Sequence, residues 1–480
     1  MKLLVANRGE IAVRVLRAAR ELGAPTVAVY SDADRDALHV RLADEAVHLG
    51  PTPPAESYLN AGRLLAAAAA TGATHLHPGY GFLSENADFA RAVLAAGLCW
   101  VGPSPAAIAT MGDKAAARRA MAAVGVPVVP GTESPDVATL TAMGFPLVVK
   151  AVAGGGGRGM RVVREASGLE EALAGAAREA LAAFGDGRLY AESLIEPARH
   201  IEVQVLGDQS GQVIALGARE CSVQRRSQKL LEESPAPGLD TAALAAMEAA
   251  AVRGARSVGY VGAGTVEFLL APTGAFYFLE MNTRIQVEHG VTELVTGIDL
   301  VAAQLRIAEG ARVPEPPIAR GHAIEARICA EDVAGGFLPS PGQLLRFRLP
   351  AGPGVRVDSG FEEGDPVPDA YDSLLCKVLV HAEDRNAAIA RLSRALSELD
   401  IAGVPTTAPL LARVLASGEF AAGTIHTRWL EPFAAGLQPN PDAVEAIAAG
   451  WAFANAGGAG TPSCAAMATA TPWQSLGSWR

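Results

Sequence analysis

The sequence of 480 residues predicts an α/β protein that begins with a doubly wound parallel sheet and ends in a β-rich domain. Short apolar strands alternate with amphipathic helices over residues 1–101, which is the pattern of a parallel sheet. Predicted strands then cluster at 188–282 and again from 322 to 381. The first turn reads ANRGE and not GxGxxG, so no site for NAD or FAD is expected.

The composition is that of an ordinary globular protein. Half of the residues are apolar, 19% are charged and the formal net charge is −11. A nonspecific nucleic-acid binder usually has a basic face, so no nucleic-acid partner is expected. The Ala-rich run at 64–70 is too short to span a membrane, and Arg8 and Glu10 follow an apolar run too short for a secretory signal. We expect a cytoplasmic protein without a membrane partner.

Cysteine and lysine are both sparse. Five widely spaced cysteines without a CxxC pair predict neither a disulfide framework nor a zinc site. Of the 40 basic residues only five are lysine, so a retained lysine suggests a position that needs a compact point charge, and the alternative is chance retention. The five are Lys2, Lys114, Lys150, Lys229 and Lys377.

A glycine-rich segment, GGGGRGM at 154–160, follows a predicted strand that ends near Lys150. Its backbone amides can approach phosphate oxygens closely, and no GxxxxGK[ST] motif is present. We interpret it as a nucleotide loop with Lys150 at the phosphates, an interpretation that Lys114 and Lys229 strengthen. The alternative is a flexible turn between two strands.

Residues 262–284 have the pattern of a β-hairpin. A two-residue loop at Thr273–Gly274 would place Glu267 directly opposite Glu280, with Asn282 on the same face. Like charges opposite each other destabilise a sheet unless a cation lies between them. Two carboxylates and an amide suit Mg²⁺ that bridges substrate phosphates, so these three residues are the predicted metal ligands. The alternative is a pair of solvent-facing charges in another register.

The run NTRIQVEH at 282–289 follows directly. Its alternation suggests a strand with Arg284, Gln286 and Glu288 on one face. A guanidinium beside a carboxylate suits a small planar anion such as bicarbonate, with the carboxylate as base. The alternative is a surface strand with solvated charges.

Together these segments resemble the biotin carboxylase family of the ATP-grasp fold, nearly without interruption from Lys2 to about Leu430. The matching segments are ANRGEIA (6–12), HPGYGFLSEN (77–86), MGDK (111–114), GGGGRGM, RHIEVQ (199–204), RRSQK (225–229), EMNTRIQVEH (280–289) and YDSLLCK (371–377). The resemblance implies carboxylation of biotin with ATP and bicarbonate through carboxyphosphate, as the first half-reaction of an acyl-CoA carboxylase.

The resemblance also implies a role for each matching residue. The implied ATP-binding residues are Lys114, Lys150, Gly155, Gly156, Gly157, Glu192, Ile195, His200, Gln224, Leu269 and Ile425. The implied metal ligands, for Mg²⁺ or Mn²⁺, are Glu267, Glu280 and Asn282. The implied bicarbonate site is Lys229, Arg284, Gln286, Val287 and the base Glu288. The implied biotin contacts are Tyr80, Gln286 and Arg327, and the implied catalytic residues are Glu288, Arg327, Lys229 and Arg284.

The chain departs from the family pattern at three positions. Ser227 lies where many members have His or Asn, Cys329 replaces a common Asn, and Gly290 replaces the usual Pro after His289. A side-chain contact from position 227 to the nucleotide is therefore in doubt, and we expect Gly290 to loosen its loop.

The expected organisation has four parts. They are an N-terminal Rossmann-like domain at 1–112, an ATP-grasp domain at 113–317 with a mobile lid at about 130–203, a C-terminal domain at 318–432, and a linker-like tail at 433–480. No lysine follows Lys377, so biotin is expected on a partner carrier and not on this chain. The expected partners are that carrier, a carboxyltransferase subunit and a second copy of the chain.

The ending TPWQSLGSWR suggests part of a longer α-subunit, although a single-function subunit is the alternative. The acyl acceptor stays open among acetyl-, propionyl- and methylcrotonyl-CoA and urea. Two rival functions are another ATP-grasp ligase, such as a carbamoyl-phosphate or purine-pathway enzyme, and a non-catalytic nucleotide-binding subunit. The retained metal and base residues disfavour the second rival.

Overall fold

The computed structural model describes residues 1–152 and 160–436. The predicted glycine loop, with Gly155, Gly156 and Gly157, and the predicted tail from residue 437 onward lie outside the described residues. One body comprises Met1–Pro432, and a second unit begins at Phe433. The predicted α/β class is confirmed, with a parallel sheet first and antiparallel sheets after it.

The N-terminal part forms the predicted parallel sheet. Its strands are β1 (Leu3–Val5), β2 (Thr26–Ser31), β3 (Glu45–Gly50), β4 (His75–His77) and β5 (Cys99–Trp100). Its helices are α1 (Gly9–Glu21), α2 (Leu38–Leu42), α3 (Ala61–Thr71), α4 (Ala87–Ala95) and α5 (Pro105–Gly112). The sheet order is β3-β2-β1-β4-β5, so the topological switch lies between β1 and β4, where doubly wound folds bind ligands. The ANRGE and HPGYG segments follow those two strands.

A small antiparallel sheet comes next. Its strands are β6 (Gly131–Thr132), β7 (Leu147–Ala151), β8 (Met160–Val163) and β9 (Leu189–Ser193), in the order β6-β9-β7-β8. The accompanying helices are α6 (Lys114–Ala123), α7 (Val137–Met143) and α8 (Leu169–Phe184). Leu147, Val149 and Val163 pack with residues of α7 and α8 in a separate apolar core.

The remaining elements surround a large antiparallel sheet. Its first strands are β10 (Arg199–Gly207), β11 (Val213–Arg225), β12 (Gln228–Ser234), β13 (Gly262–Leu270) and β14 (Phe276–Asn282), with helices α9 (Thr241–Ser257), α10 (His289–Thr296) and α11 (Leu300–Ala308). The later strands are β15 (His322–Cys329), β16 (Glu331–Asp332), β17 (Leu338–Pro339), β18 (Gly342–Gln343), β19 (Arg346–Arg348), β20 (Val355–Ser359), β21 (Pro366–Val367), β22 (Leu374–Ala382) and β23 (Asp400–Ala402). The last helices are α12 (Arg385–Glu398), α13 (Ala408–Leu415), α14 (Gly418–Ala422) and α15 (Leu430–Ala435), and three short 3-10 helices lie at Asp32–Asp34, Pro54–Glu56 and Ala166–Gly168.

Eight of these strands form one continuous sheet in the order β14-β13-β10-β11-β12-β15-β22-β20. It crosses residue 318, where the sequence predicts a domain boundary, because β12 pairs with β15. Ile201, Val203 and Val205 of β10 enter an apolar core with α6 and α9. The alternate residues of that strand, His200, Glu202 and Gln204, therefore share the opposite face of the sheet.

Across the described ranges, 1–152 and 160–436, no helix has both the length and the apolar character that a membrane span requires.

Candidate active site

Lys229 occupies the centre of the polar face of the large sheet. Its Nζ donates to Glu202 Oε2 at 2.6 Å, Glu288 Oε1 at 2.7 Å and Glu267 Oε1 at 2.9 Å. Burial alone would lower the pKa of Lys229, but Glu202, Glu267 and Glu288 together raise it well above its ordinary value. Lys229 is therefore a fixed positive charge among three carboxylates.

Glu288 is fully buried and held at both oxygens. Oε1 accepts from Lys229, and Oε2 accepts from Arg327 Nη2 at 2.9 Å. Burial raises the pKa of Glu288, but Lys229, Arg327 and Arg219 more than offset it, so the pKa lies well below the ordinary value. Glu288 is thus ionised and has a fixed orientation.

Arg327 is shared between two carboxylates from neighbouring segments. It contacts Glu288 on one side and Glu232 of β12 on the other. Burial raises the pKa of Glu232 to about 7, against the opposing effect of Arg327 and with a further rise from Glu288. In the sheet, Glu232 lies opposite Glu325, whose two carboxylate oxygens are buried without a hydrogen-bond partner.

The predicted pairing of Glu267 with Glu280 is confirmed, but the two-residue loop from which it was predicted is wrong. The loop has three residues, 272–274, because the Ala271 amide donates to the Ala275 carbonyl. A bulge follows, since Phe268 pairs with Phe278 and the adjacent Glu267 with Glu280. The extra residue in the loop and the one in the bulge offset each other.

The residues present fit a hard divalent cation at this pair. Asn282 Nδ2 lies 2.7 Å from Glu267 Oε1, and Glu280 Oε2 lies 3.5 Å from Lys114 Nζ. Carboxylate and amide oxygens are the donors that Mg²⁺ and Mn²⁺ favour. Ligand atoms of His200, Glu202 and Glu267 also lie within 4.8 Å of one another.

The segment after Asn282 is not the predicted strand. It is a loop that enters α10, and its polar side chains reach the site in different ways. Gln286 Nε2 donates to Glu267 Oε1 at 3.0 Å, whereas Arg284 Nε donates to Glu85 Oε2 at 3.0 Å. The predicted strand is therefore wrong, and the anion-binding role of this run stays a prediction.

A second basic group lies on the small sheet. Lys150 of β7 contacts Glu192 of β9, and its Nζ lies 5.7 Å from the centre of the Tyr190 ring. Arg118 of α6 lies 3.7 Å from the other oxygen of Glu192. Glu280 raises and Lys114 lowers the pKa of Tyr190, which lies beside Lys150. The pair of Lys114 and Glu280 is therefore near the pair of Lys150 and Glu192.

Three of the other predicted ATP residues, His200, Gln224 and Leu269, lie on strands of the large sheet. His200 Nε2 is 2.9 Å from Glu267 Oε2, and Gln224 Nε2 is 3.1 Å from His200 Nδ1. Burial lowers the pKa of His200, but Glu267 raises it above the ordinary value. Leu269 pairs with His200 across the sheet, and Ile425 lines a small cavity with Val223, Leu231 and Phe420. Ile195 follows β9 and is half-buried.

Tyr80 lies at the switch point of the parallel sheet. Its hydroxyl donates to Glu10, and its carbonyl accepts from Asn7 Nδ2 at 2.7 Å. The pKa of Tyr80 is raised well above its ordinary value by burial and Glu10, with an opposing effect from Arg327. Tyr80 and Arg327 are therefore electrostatic neighbours, although the sequence places them far apart.

Several charged residues of the site were not singled out from the sequence. They are Glu10, Glu85, Glu202, Arg219, Glu232 and Glu325. For Glu202 a signal existed, since RHIEVQ alternates polar and apolar residues and so places Glu202 on the face of His200. Arg219 is fully buried and donates to Gln204, Thr265 and Thr292 as well as to Glu202.

The structure also shows where the three residues that depart from the family pattern lie. Ser227 is exposed in the two-residue turn between β11 and β12, where its φ is 68°. Cys329 is buried, and its amide donates to Thr407 Oγ1 at 3.0 Å. Gly290 lies in the first turn of α10, and a Cβ built there would meet Leu379 Cδ2 at 2.3 Å. Leu379 occupies the space that a larger residue would need.

Comparison with family models gives three matches along the chain. The model described as biotin carboxylase, N-terminal domain, matches residues 1–108. The model described as carbamoyl-phosphate synthase L chain, ATP binding domain, matches residues 113–316. The model described as biotin carboxylase C-terminal domain matches residues 325–432.

Individual relatives agree. A biotin carboxylase of Nostoc sp. is 49% identical over 90% of this chain and 98% of its own length. The mitochondrial methylcrotonoyl-CoA carboxylase subunit alpha of Oryza sativa subsp. japonica is 51% identical over 90% of this chain, but the match spans only 60% of the rice protein. A Hydrogenobacter thermophilus biotin carboxylase domain dimer, solved with MgADP, ADP and bicarbonate, has a TM-score of 0.88 and 44% identity, covering 91% of this chain and 99% of that chain.

Proposed function

Since this chain belongs to the biotin carboxylase family, which uses ATP, Mg²⁺ and bicarbonate to carboxylate biotin, we propose that the Lys229 cluster carries out the chemistry. The Lys229 cluster comprises Lys229, Glu202, Glu267, Glu288 and Arg327. The observation that supports it most is Glu288, a buried carboxylate with one oxygen on Lys229 and the other on Arg327.

In the proposed first step, Glu288 accepts the hydroxyl proton of bicarbonate. The resulting carbonate oxygen attacks the γ-phosphorus of ATP, and the bond to the β-phosphate oxygen breaks to give carboxyphosphate and ADP. The negative charge of bicarbonate bound near Lys229 and Arg284 would offset part of the positive charge that now acts on Glu288. The pKa of Glu288 would then rise toward the range of a useful base.

Charge neutralisation is the other requirement of phosphoryl transfer. We assign it to Lys150 and Lys114, which lie beside Glu192 and Glu280, and to His200 and Gln224, which contact each other. Glu267, Glu280 and Asn282 would hold Mg²⁺ or Mn²⁺, which neutralises phosphate charge when bound. The apolar residues Ile195, Leu269 and Ile425 suit the nucleotide base.

In the second step carboxyphosphate releases CO₂, which bonds to a ureido nitrogen of biotin as that nitrogen loses its proton to the departing phosphate. Arg327 would stabilise the negative charge of the deprotonated ureido group. Gln286 and Tyr80 would position the ring, since Tyr80 is an electrostatic neighbour of Arg327. Arg327 would then serve both steps, because it binds the base Glu288 in the first and the ureido group of biotin in the second.

The partners are proposals of the same kind. A biotinylated carrier and a carboxyltransferase are supported by the likeness to the rice α-subunit, and a homodimer by the likeness to the dimeric domain from H. thermophilus. A reducing compartment such as the cytoplasm suits the four described cysteines, all free thiols.

The domain limits 1–112, 113–317 and 318–432 are supported by the three family matches. Residues about 130–203, which carry the small sheet, are the proposed lid.

The decisive assay is ADP release with MgATP and bicarbonate, with and without free biotin. Biotin should stimulate bicarbonate-dependent turnover in the unaltered protein. Glu288→Gln should lose about 10²–10⁴-fold of that turnover while still binding ATP. Glu398→Gln, which alters an exposed carboxylate paired with Arg394, is the control and should keep full activity.

Turnover that needs neither bicarbonate nor biotin would contradict the proposed function and favour another ATP-grasp ligase. The lid has its own test, in which limited proteolysis of residues about 130–203 should slow when MgADP is added. Cleavage at an equal rate with and without nucleotide would contradict closure.

A further inference from the structure

Lys377 is the one fully buried lysine to which the proposed function gives no role. Of the other four, Lys114, Lys150 and Lys229 belong to the proposed site, and Lys2 forms a partly exposed ion pair with Glu45. Lys377 has no exposed surface at all. A lysine is rarely buried without a partner that requires its charge.

The partners of Lys377 come from three separate segments. Its Nζ donates to the Val287 carbonyl at 2.6 Å and lies 3.3 Å from Glu10 Oε1 and 3.7 Å from Asp358 Oδ2. Burial lowers the pKa of Lys377, but Glu10, Glu325 and Asp358 raise it above the ordinary value. Lys377 is therefore a charged donor to one backbone oxygen.

That backbone oxygen lies next to the proposed base. Val287 directly precedes Glu288, so fixing its carbonyl fixes the direction in which the chain presents the Glu288 side chain. Strand β22 places Lys377 directly opposite Arg327 of β15, which binds the Glu288 carboxylate. The paired residues Lys377 and Arg327 thus hold consecutive residues of one turn: Lys377 binds the Val287 carbonyl and Arg327 binds the Glu288 carboxylate.

The same ammonium group reaches toward the proposed biotin side. Glu10, its second partner, accepts a hydrogen bond from the Tyr80 hydroxyl. Glu10 follows β1 and Tyr80 follows β4, at the switch point of the parallel sheet. Lys377 therefore contacts the turn of the base directly and Tyr80 through one carboxylate.

We propose that Lys377 is a positioning residue, whose bond to the Val287 carbonyl orients Glu288 for bicarbonate and whose pairing with Glu10 links that turn to Tyr80. This inference rests on the proposed function. It adds a residue that touches no substrate and acts through the backbone. The charge is needed because the carbonyl is buried and the donor must also balance Glu10 and Asp358.

The test compares the unaltered protein with Lys377→Met, Glu10→Gln and the double variant that removes both charges. KM values for bicarbonate, ATP and biotin are measured by ADP release. We expect both Lys377 variants to raise the KM for bicarbonate by about tenfold or more, with the KM for ATP changed by less than about twofold. Glu10→Gln alone keeps the Val287 bond, so its larger effect should fall on the KM for biotin.

The double variant guards against misfolding, because Lys377→Met alone leaves Glu10 without its buried cation. Lys2→Met is the control and should leave every KM unchanged. A folded Lys377 variant that binds ATP and keeps the KM for bicarbonate within about twofold would overturn the proposal. So would a double variant that still fails to fold, because Lys377 would then serve the fold alone. Loss of bicarbonate dependence in the unaltered protein would instead contradict the proposed function.

Discussion

Lys229 and Lys150 carry the same charge but are surrounded very differently. Lys229 lies in the large sheet among Glu202, Glu267 and Glu288, three carboxylates that are almost fully buried. Lys150 lies in the small sheet with one carboxylate, Glu192. Three buried carboxylates hold Lys229 in the sheet, whereas Lys150 has one carboxylate partner and therefore more donor capacity left for a ligand.

The largest effect is expected from Lys229→Met. Removing the cation leaves three buried carboxylates without their common partner, and breaking a buried pair typically costs about 3–5 kcal/mol of folding free energy. We expect the urea midpoint to fall markedly and bicarbonate-dependent ADP release to be lost. A variant with unchanged stability would show that the cluster is solvated in solution, and the contrast with Lys150 would fail.

Lys150→Met should have a smaller effect of a different kind. Lys150 and Glu192 are also almost fully buried, but Glu192 keeps Arg118 at 3.7 Å, so the free energy of unfolding should fall by less than the about 3–5 kcal/mol expected for Lys229→Met. Loss of a charge-assisted phosphate contact should raise the Kd for ATP about tenfold to a hundredfold. Calorimetric titration with ATP checks this, and equal effects of Lys150→Met and Lys229→Met on unfolding would contradict it.

Glu232→Gln tests the electrostatics of the large sheet by pH. Burial raises the pKa of Glu232 to about 7, from 4.5 in an exposed carboxyl, despite the opposing effect of Arg327. The folded protein therefore holds this proton more tightly than the unfolded chain does. The resulting stabilisation is complete below about pH 4.5 and is lost as the pH rises through about 7.

Relative to Glu232→Gln, the unaltered protein should thus lose up to about 3 kcal/mol of unfolding free energy between pH 5 and pH 8. Urea unfolding at several pH values measures the difference. Glu398→Gln, which alters an exposed carboxylate, is the control, and its curve should run parallel to that of the unaltered protein. A difference for Glu232→Gln that stays constant across this range would show that Glu232 titrates normally.

The smallest effect is expected from Lys2→Met. Lys2 pairs with Glu45 at 2.6 Å, but the two side chains are 24% and 48% exposed. Ion pairs of this kind contribute about 0–1 kcal/mol, and salt screens them. A change above about 1 kcal/mol in the free energy of unfolding would mean that the burial of a lysine does not predict how much it contributes to stability in this protein.

Sequence reasoning succeeded where the chemistry is local. The pairing of Glu267 with Glu280 followed from hairpin geometry, and the structure has it, although a longer loop and a bulge offset each other. The run Arg284 to Glu288 was singled out for its density of charge, but the strand predicted for it is wrong, because it is a loop. Periodicity of two does not distinguish a strand from a short extended loop.

The parts that sequence reasoning missed depend on contacts between distant segments. Glu10 and Lys377 are 367 positions apart, and nothing in either local pattern announces their contact at 3.3 Å. Glu232 and Glu325 meet only because β12 pairs with β15. The same pairing carries the sheet across the predicted boundary at residue 318, which was placed where the predicted secondary structure becomes β-rich.

The uninterrupted sheet has a practical meaning for anyone who expresses pieces of this protein. A fragment cut near residue 318 would leave β12 bare on one product and β15 on the other. Both are inner strands of the sheet, so each piece would expose unpaired backbone groups and would be prone to aggregate. Residues 1–432 therefore form the smallest sensible unit for expression, although three family models divide them.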